Sequence, residues 1–549
     1  MIRVGQQADL FEDSQYIAMR IAEVAYRLNV SEASVRNWVK AGYLQHRDGI
    51  GIVRQSFENF CHNVAGKEKL VSRANKSRSS QHDHVELSSK ILARLQAGEA
   101  VLPLAEIYQN SLSDSYRNKE GIYYTPPDIC RVLLADIALP ASHKTFCDPC
   151  CGSGNFIIEA IHRGFLPQNI YAYDSDPVAV ALTKQRIFAE TGYKSDTIFC
   201  RDFLEDTVSF RDESLFFDVI VTNPPWGKKI QHTEKEKYGK LLGESRNLDS
   251  AALFFFAALQ QLKEGGFLAL LLPEAFFKIA AFQNARQKLL EYKLLGLRDF
   301  GRPFKKIMTR AQSFCLEKNK NRLGNVLCSV NNTSFTRQKS SFVNNPAAII
   351  NFSVDSADEQ VLAAIFSKPY VTLERNAQWG LGIVTGNNKK FCRSEPFENS
   401  IPVYKGTDIY KGHSHKVTNF IPDDFSLYQQ VAPIALFEAE EKLLYRFISS
   451  ELVFYRDTEQ AYCLNSVNMV KLLSGFPFSH SLIAKVFNTD LYSWIFKKLF
   501  NTHKVLRSDL EKLPLPIEFL KSKNSFSESE LIEYFNIGKQ DNGTFRIKG

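Results

Sequence analysis

The sequence predicts an α/β protein whose central sheet is mostly parallel and Rossmann-like. Strand-like and helix-like patterns alternate along residues 146–223, which is the order of successive β-α-β units. A Gly-Ser-Gly loop follows the first strand pattern, and the strand patterns end in polar or glycine-rich tips. Because the carboxyl ends of parallel strands meet at one edge of a sheet, we expect a ligand crevice there.

The loop after the first strand is Asp148-Pro149-Cys150-Cys151-Gly152-Ser153-Gly154, and an apolar helix pattern follows it. Glycine allows a ligand to approach the backbone closely, and the start of the next helix presents unpaired N–H groups. The dinucleotide fingerprint G-x-G-x-x-G is incomplete, because Ile157 stands in the place of the third glycine. Since Gly-x-Gly alone is also typical of an ordinary turn, the later strand ends decide its interpretation.

Two acids follow the next two strand patterns. The second strand, 170–174, ends at Asp174 about 20 residues after the glycines, where Rossmann-like proteins place a ribose-binding carboxylate. The third strand, 197–200, precedes Asp202 and Phe203. Together with the glycine-rich loop, these residues form a candidate cofactor site.

The fourth strand, 218–222, runs into Asn223-Pro224-Pro225-Trp226. Each proline fixes its own φ and removes a backbone donor, which stiffens the turn and leaves carbonyl oxygens unpaired. Asn223 adds a side-chain carbonyl, and Trp226 adds a flat apolar surface. The motif therefore predicts a rigid group of acceptors that suits the exocyclic amino group of a flat heteroaromatic ring. An ordinary turn at the end of a strand is the alternative for this motif alone.

Taken in order, the four strand ends resemble the motifs of amino-methylating DNA methyltransferases that use S-adenosylmethionine. The sequence Gly-Ile-Tyr-Tyr-Thr-Pro-Pro at 121–127 resembles the motif that opens the catalytic domain of their gamma class. That class comprises the N6-adenine methyltransferases of restriction–modification systems. The resemblance covers roughly residues 100–320 and continues more weakly through the C-terminal part.

The resemblance implies a methyltransferase sheet with S-adenosylmethionine as its cofactor. Asp174 would hold the cofactor ribose, Asp202 would accept a hydrogen bond from the cofactor adenine, and Phe203 would pack on that ring. The remaining cofactor contacts are implied for Thr125, Pro126, Asp148, Pro149, Gly152 and Gly154.

The same resemblance implies methylation of an adenine that is flipped out of double-stranded DNA. Asn223 and the Pro224 carbonyl would accept the amino hydrogens, in the turn that Pro225 helps to stiffen, and Trp226 would stack on the base. A further aromatic contact falls after the sheet, where both Phe304 and Phe314 fit. N4-cytosine methyltransferases use the same geometry with serine more usual at the asparagine position, and N4-cytosine methylation is the alternative.

The first part of the chain predicts a helix-turn-helix. Helix patterns at 21–28 and 32–40 flank a turn, and the unit resembles the helix-turn-helix of MerR and excisionase proteins. A plain helical hairpin with a solvated polar face is the alternative, since the second helix contains few basic residues. The side chains that would face DNA are those of Ser34, Arg36, Asn37 and Lys40.

Changes in composition along the chain predict its domain organisation. The C-terminal region combines short strand patterns with interleaved aromatic and basic residues, and it resembles the target-recognition domain of gamma-class enzymes. An unrelated protein-binding β domain is the alternative for this region. The predicted segments are a helix-turn-helix domain at 1–62, a linker at 63–85, a methyltransferase domain at 86–335, a connector at 336–370 and a mixed α+β target-recognition domain at 371–549.

The overall composition is compatible with nucleic acid binding and favours a cytoplasmic location. A chain of 549 residues with 44% apolar residues can bury several cores, and a net charge of +8 permits nucleic acid binding. We identify no secretory segment and no apolar run long enough to span a membrane. Ten cysteines without ligand spacing indicate free thiols and no metal site.

The expected partners are double-stranded DNA and a separate cognate restriction endonuclease. Two alternatives are a bifunctional restriction–methyltransferase and a DNA-binding regulator with an inactive enzyme core.

Overall fold

The computed structural model describes residues 18–28, 32–40, 43–47, 51–63, 72–112, 116–117, 120–139, 141–209, 216–228, 230–242, 249–304, 308–321 and 323–548. The chain divides into two compact units, Met1–Ile122 and Tyr123–Gly549. In this described part of the chain, no helix is long and apolar enough to cross a membrane.

The N-terminal unit combines helices with a small antiparallel sheet around Val24, Val35 and Trp38, which are buried in one core. The two predicted helices flank residues 29–31, which lie outside the described part. The helices include Ile21–Leu28, Glu32–Lys40, Arg54–Asn63, Ser72–Gln96 and Val101–Ser111. The strands are β1 (Ala18–Met19), β2 (His46–Arg47) and β3 (Gly51–Val53), in the sheet order β1-β3-β2.

The long helix Ser72–Gln96 corrects one prediction, because it begins inside residues 63–85, which the sequence assigns to a linker. Its C-terminal half contains the buried Ile91 and packs against the helix that carries Leu104. Once a helix has nucleated, each further residue adds one hydrogen bond at little cost. The polar residues therefore extend a helix that their own composition does not predict.

A nine-stranded sheet forms the centre of the second unit. Its strands are β4 (Phe146–Asp148), β5 (Ile170–Asp174), β6 (Ile198–Cys200), β7 (Phe217–Thr222), β8 (Leu262–Pro273), β9 (Tyr292–Asp299), β10 (Ala311–Lys320), β11 (Asn325–Val330) and β12 (Thr333–Gln338). The order is β12-β11-β9-β10-β8-β7-β4-β5-β6. β10 and β12 run antiparallel to their neighbours, and the other pairs are parallel. The predicted mostly parallel α/β sheet is confirmed.

The position of β4 determines where the crevice lies. β4 sits between β5 and β7, so the chain leaves it first in one direction and later in the other. Open α/β sheets bind ligands at such a switch point, outside the carboxyl ends of the strands. The loops after β4 and β7 are therefore neighbours at one edge of the sheet.

Helices cover both faces of this sheet. The helix Ser250–Gln261 is apolar on nearly all sides and fills the core on one face, whereas Pro127–Leu134 and Asn155–His162 pack on the other. The remaining helices are Pro177–Thr191, Phe203–Ser209, His232–Leu241, Ala275–Lys278, Gln283–Leu289 and Lys339–Val343.

Residues 336–370, predicted as a connector, are divided between two cores. Phe342 and Ile350 pack in the core of the catalytic sheet, whereas Val361 and Ile365 pack in the core of the C-terminal part. The second pair lies on the helix Ser356–Ser367. The predicted connector therefore contributes its first part to the core of the catalytic sheet and its second part to the core of the C-terminal part.

The C-terminal part combines small sheets with helices, as predicted. A four-stranded sheet has the order β14-β22-β19-β20, and a three-stranded sheet has the order β18-β15-β21. The strands are β13 (Tyr370–Val371), β14 (Ala377–Leu381), β15 (Ser400–Tyr404), β16 (Ile409–Tyr410), β17 (His413–Ser414), β18 (Phe420–Pro422), β19 (Lys442–Arg446), β20 (Phe454–Asp457), β21 (Tyr462–Cys463), β22 (Val467–Leu472), β23 (Leu515–Pro516), β24 (Ile537–Lys539) and β25 (Phe545–Ile547). The helices are Asn388–Phe391, Ile434–Phe437, His480–Phe487, Asp490–Phe500, Arg507–Leu510, Ile517–Lys521 and Glu528–Tyr534.

A buried arginine holds the turn after β8 to the segment at 347–348. The Arg286 guanidinium donates to the carbonyls of Phe276 and Ile279 at 2.8 Å each. It also donates to those of Ala347 at 3.0 Å and Ala348 at 3.2 Å. Burial lowers its pKa to about 9. Its hydrogen bonds thus satisfy several buried carbonyls at once.

We expect the Arg286→Met variant to be strongly destabilised, because it leaves these carbonyls without a donor. Each buried unsatisfied group costs about 1–3 kcal/mol, so we expect a loss of about 3 kcal/mol or more in the free energy of unfolding. Urea unfolding of the full-length protein measures it. Arg302→Met removes the same charge from an exposed position and should change stability by less than about 0.5 kcal/mol. Equal stability of the two variants would show that the hydrogen bonds of Arg286 do not stabilise the fold.

Candidate active site

Asn223 follows β7. Its side-chain amide is held by residues 123–125, the segment just before the helix Pro127–Leu134. Its Nδ2 donates to the Tyr123 carbonyl at 2.7 Å and to Thr125 Oγ1 at 3.1 Å. The reverse orientation of the amide is unfavourable, since it would place Oδ1 against the Tyr123 carbonyl, which is also an acceptor. Both amide hydrogens are therefore used, and the direction of Oδ1 is fixed.

Two acceptors at the end of β7 have no donor. Asn223 Oδ1 is buried, and no described residue donates a hydrogen bond to it. Within the same described residues none donates to the Pro224 carbonyl, whereas the Pro225 carbonyl accepts from Ser250 Oγ at 2.9 Å. A buried acceptor without a partner costs about 1–3 kcal/mol. An arriving group with two N–H hydrogens would remove this cost.

An aromatic cluster stands beside these acceptors. Ring centroids are 5.8 Å apart for Tyr123 and Trp226, 5.3 Å for Trp226 and Phe304, and 5.6 Å for Tyr123 and Phe304. Trp226 is only 8% exposed, and its Nε1 donates to the Leu271 carbonyl at 3.3 Å. Its ring is thus a fixed part of the wall, not the open platform that the sequence suggests.

Of the two phenylalanines proposed for the target base, only Phe304 adjoins Trp226. Phe314 is fully buried, and its ring centroid lies 5.7 Å from that of Phe255 and 6.1 Å from that of Phe276. The reason is its position on β10, which lies inside the sheet between β8 and β9, so that both faces are covered. The assignment of Phe314 to the target base is therefore wrong.

The glycine-rich loop has the backbone conformation that its glycines predict. Gly152 has φ +52° and Gly154 has φ +85°. A Cβ at Gly152 would lie 2.8 Å from the Tyr124 ring, and one at Gly154 would lie 2.9 Å from Thr183 Oγ1. Neighbouring side chains of the protein thus pack against both glycines, in addition to the positive φ that each glycine adopts.

Asp148 is fully buried at the end of β4, just before Pro149 in the turn. Its Oδ1 accepts from the Cys150 N–H at 3.1 Å, and no described residue donates to its Oδ2 with normal geometry. Burial raises the pKa of this carboxyl to about 7, against opposing effects of the nearby Thr222 hydroxyl and the Cys150 N–H. Asp148 therefore changes its charge near neutral pH.

Asp174 is oriented by two backbone donors. Its Oδ2 accepts from the Gly152 N–H and its Oδ1 from the Asp176 N–H, both at 2.9 Å. Burial raises its pKa to about 6, and the charge of Lys228 acts in the opposite direction. Since a carboxylate has about four acceptor sites, the half-buried Asp174 can still accept from the two hydroxyls of a ribose.

Asp202 and Phe203 begin the helix after β6. Asp202 Oδ1 accepts from the Leu204 N–H at 2.9 Å, and within the described chain no residue donates to its Oδ2. Phe203 is 2% exposed, with its ring edge-on to Tyr173 at a centroid distance of 5.2 Å. Asp202 therefore offers an acceptor, and little of the Phe203 ring is accessible.

A chain of hydrogen bonds joins the glycine-rich loop to Asn223. Arg186 Nη1 donates to Asn155 Oδ1 at 2.7 Å, and Asn155 Nδ2 donates to the Thr125 carbonyl at 2.8 Å. The Thr125 hydroxyl in turn accepts from Asn223. Thr125 was assigned to the cofactor alone, and the roles of Asn155 and Arg186 were missed. No local signal identifies them, because Thr125 and Asn223 are 98 positions apart.

The neighbouring Pro126 ends this segment. Its carbonyl accepts from the N–H groups of Ile129 and Cys130 at 3.1 Å each, and thereby starts the helix Pro127–Leu134. Thr125 and Pro126 thus present a segment of fixed conformation at the same edge of the sheet as Asn223.

The cysteines of the glycine-rich loop behave as core residues. Burial raises the pKa of the Cys147, Cys150 and Cys151 thiols well above their usual value, so they stay protonated near neutral pH. In the described ranges, no three His, Cys, Asp or Glu side chains are grouped closely enough to hold a metal ion.

The N-terminal unit presents one of its predicted DNA-facing side chains. Arg36 is exposed and forms an ion pair with Glu32 at 2.6 Å. Exposed pairs of this spacing contribute only a few tenths of a kcal/mol, so a phosphate could replace Glu32. The side chains of Ser34, Asn37 and Lys40 lie outside the described residues.

Residues 103–340 match the N-6 DNA methylase family, and residues 401–515 match the TaqI-like C-terminal specificity domain. The Type II methyltransferase M.VspI of Vibrio sp. (strain 343) is 43% identical over 407 residues, which cover 74% of this chain and 99% of the relative. This chain belongs to the N-6 DNA methylase family. The predicted methyltransferase activity and the predicted specificity domain are confirmed at this level.

Two further comparisons are more distant. The Type II methyltransferase M.BanIII of Aneurinibacillus aneurinilyticus is 23% identical over 209 residues, 34% of this chain and 36% of that protein. The Type IIL restriction–modification enzyme MmeI, solved in complex with DNA, is 12% identical with a TM-score of 0.47, covering 75% of this chain and 69% of that chain. The site of this N-6 DNA methylase, from Thr125 to Phe304, lies inside the matched range 103–340.

We expect Thr125→Val to slow methyl transfer, because it removes one of the two acceptors that fix the Asn223 amide. Misplacement of a reacting group can cost about 100-fold in rate, so we expect kcat to fall about 10- to 100-fold. Thr125→Ser keeps the hydroxyl and should restore most of the rate. The measurement is methyl transfer to DNA at saturating substrates. A valine variant as fast as the serine variant would show that the hydroxyl has no positioning role.

Asp148 should make stability depend on pH. Its folded pKa of about 7 exceeds the ordinary value of 3.8, which corresponds to about 4 kcal/mol between the charge states. The stability it contributes is complete below about pH 4 and is lost as the pH rises through about 7. The unfolding temperature of Asp148→Asn should therefore fall less between pH 5 and pH 8 than that of the native protein.

The exposed Asp196→Asn is the matched control for this measurement, because it removes a carboxyl of the same type from the surface. It should keep the pH dependence of the native protein. Identical pH dependence of all three proteins would mean that Asp148 ionises as an ordinary carboxyl.

Proposed function

We propose that this protein is a site-specific, gamma-class DNA methyltransferase that methylates the N6 amino nitrogen of adenine in double-stranded DNA. S-adenosylmethionine is the proposed methyl donor, and it supplies a methyl group on a positively charged sulfur when bound. The observation that carries the proposal is a pair of acceptors, Asn223 Oδ1 and the Pro224 carbonyl, to which no described residue donates.

The two acceptors address the chemical difficulty of the reaction. The amino nitrogen of adenine delocalises its lone pair into the ring and is a poor nucleophile. When both hydrogens are accepted by fixed oxygens, the nitrogen moves toward tetrahedral geometry and its lone pair becomes available for in-line attack. Because the Asn223 amide is already held by Tyr123 and Thr125, no reorganisation is needed at the moment of reaction.

Access to the amino group requires the base to leave the duplex, at a cost of a few kcal/mol. The cluster of Tyr123, Trp226 and Phe304 supports this step, since aromatic stacking contributes about 1–3 kcal/mol per base. Trp226 and Phe304 are each 8% exposed, so contact with the base is proposed for the small exposed part of both rings.

The residues at the ends of β4, β5 and β6 fit the proposed cofactor. Asp174 retains acceptor sites for the ribose hydroxyls, and Asp202 Oδ2 can accept from the cofactor adenine amino group. Pro149, Gly152 and Gly154 shape the loop beside it, as do Asp148, Thr125 and Pro126. Phe203 is proposed to line the adenine pocket with the small part of its ring that is exposed.

The remaining parts of the chain are proposed to bind DNA, and a separate endonuclease is the proposed partner of the enzyme. We assign target recognition to the domain at 401–515 and further DNA contact to the N-terminal helix pair, through Arg36 and Lys40. The enzyme is proposed to protect DNA in a restriction–modification system whose separate endonuclease cleaves the same sequence. Its proposed location is the cytoplasm.

We expect Asn223→Ala to lose methyl transfer without losing the cofactor. Removing one group that acts on the transition state typically costs about 100- to 1,000-fold in kcat, and we expect at least the lower value. The measurement combines transfer of labelled methyl groups to DNA with calorimetric binding of S-adenosylmethionine. Asn344→Ala changes an exposed asparagine in the same unit and should behave as the native protein. An Asn223→Ala variant with native activity would refute the role of the amide.

A further inference from the structure

A short hairpin on the specificity domain carries a group of polar rings. The hairpin consists of β16 and β17 with Gly412 at its tip, where φ is +77°. The rings of Tyr410 and His413 stack with centroids 5.2 Å apart and an interplanar angle of 11°. The His415 ring lies edge-on to Tyr410 at 4.5 Å. The Arg446 guanidinium covers Tyr410 at 4.9 Å from the ring centroid.

The hairpin is fixed to the body of the domain at several points. Arg446 Nε donates to the Ile409 carbonyl at 2.7 Å, and the Gly412 N–H donates to the Phe454 carbonyl at 3.0 Å. Lys411 next to the tip forms an ion pair with Glu451 at 2.8 Å. Holding an exposed segment in one conformation costs conformational entropy during folding. Because the segment is already ordered, a ligand that binds to it has less ordering cost to overcome.

The exposed side chains of the hairpin can form hydrogen bonds, and Lys416 adds a positive charge. His413, His415 and Lys416 are exposed, and within the described residues none of them forms an ion pair. The nearby Asp408 is buried and accepts from the Lys405 N–H at 2.7 Å. The surface therefore presents two imidazole groups and the Lys416 ammonium, while the exposed Glu451 and Asp490 are paired with Lys411.

A two-stranded ribbon also has the right dimensions for double-stranded DNA. The major groove is about 12 Å wide and admits such a ribbon, and its base edges present both donors and acceptors. A neutral imidazole has one donor and one acceptor, so it can pair with either kind of edge. An ammonium group at the base of the ribbon matches the phosphate backbone.

We propose that the β16–β17 hairpin reads base edges of the target sequence, with His413 and His415 on the bases and Lys416 on a phosphate. The inference rests on the proposed function, since it assumes a DNA substrate. The hairpin lies inside residues 401–515, the range that matches the TaqI-like specificity domain.

The test compares the full-length protein with His413→Ala and His415→Ala. Each protein methylates unmethylated genomic DNA with S-adenosylmethionine, and sequencing maps every methylated position. We expect the rate at native sites to fall about tenfold or more, and sequences that differ at one base pair to become methylated. Cofactor binding and the unfolding temperature should not change. His503→Ala, an exposed histidine of the same domain outside the hairpin, should keep native sites and rate.

A second variant separates base contact from phosphate contact. Lys416→Ala should weaken binding to all sequences alike and reduce the slope of log affinity against log salt by about one. If both histidine variants methylate native sites at the rate of His503→Ala, the hairpin does not read bases and the inference is overturned while the proposed function stands. If the native protein methylates no DNA, both fail together.

Discussion

The amide of Asn223 donates both of its hydrogens to the segment at 123–125, and its oxygen accepts from none of the residues that the structure describes. Everything else at the crevice depends on this arrangement. β7 brings the asparagine to the switch point of the sheet, and two prolines prevent the turn from satisfying its own carbonyls. The hydrogen-bonded chain through Asn155 and Arg186 then ties the amide to the loop after β4. Asn223 and the glycine-rich loop after β4 are thus joined by one hydrogen-bond network.

The site is built at a cost in stability that the surrounding fold must offset. Within the described part of the chain, Asp148 Oδ2 and Asn223 Oδ1 are buried acceptors without a donor. Both are groups that a core selected only for stability would avoid. The apolar helix Ser250–Gln261 and the Arg286 guanidinium, which donates four hydrogen bonds, are stabilising features on the face of the sheet away from the helix Asn155–His162. These two unsatisfied groups therefore lie where a ligand can satisfy them.

Local patterns predict the sheet well, because short apolar runs, glycine turns and polar strand ends all act within a few residues. The strand ends at Asp174 and Asn223 were placed correctly for this reason. The supports of the site were not predictable, since the Thr125–Asn223 contact exists only after the sheet has formed. Phe304 and Phe314 are indistinguishable in sequence, and their neighbours in the fold separate them, since Phe304 packs against Trp226 whereas Phe314 packs against Phe255 and Phe276. The helix Ser72–Gln96 shows the opposite case. Its C-terminal half packs against the helix Val101–Ser111, and the polar residues before it continue the same helix.

The central claim is that two fixed oxygens present the amino group of adenine to a methyl donor. The most direct test incubates the native protein with labelled S-adenosylmethionine and unmethylated genomic DNA, then digests the DNA and identifies the modified base. Our account predicts N6-methyladenine confined to one short sequence. N4-methylcytosine would contradict the assigned base, and label on RNA or protein in place of DNA would contradict the substrate.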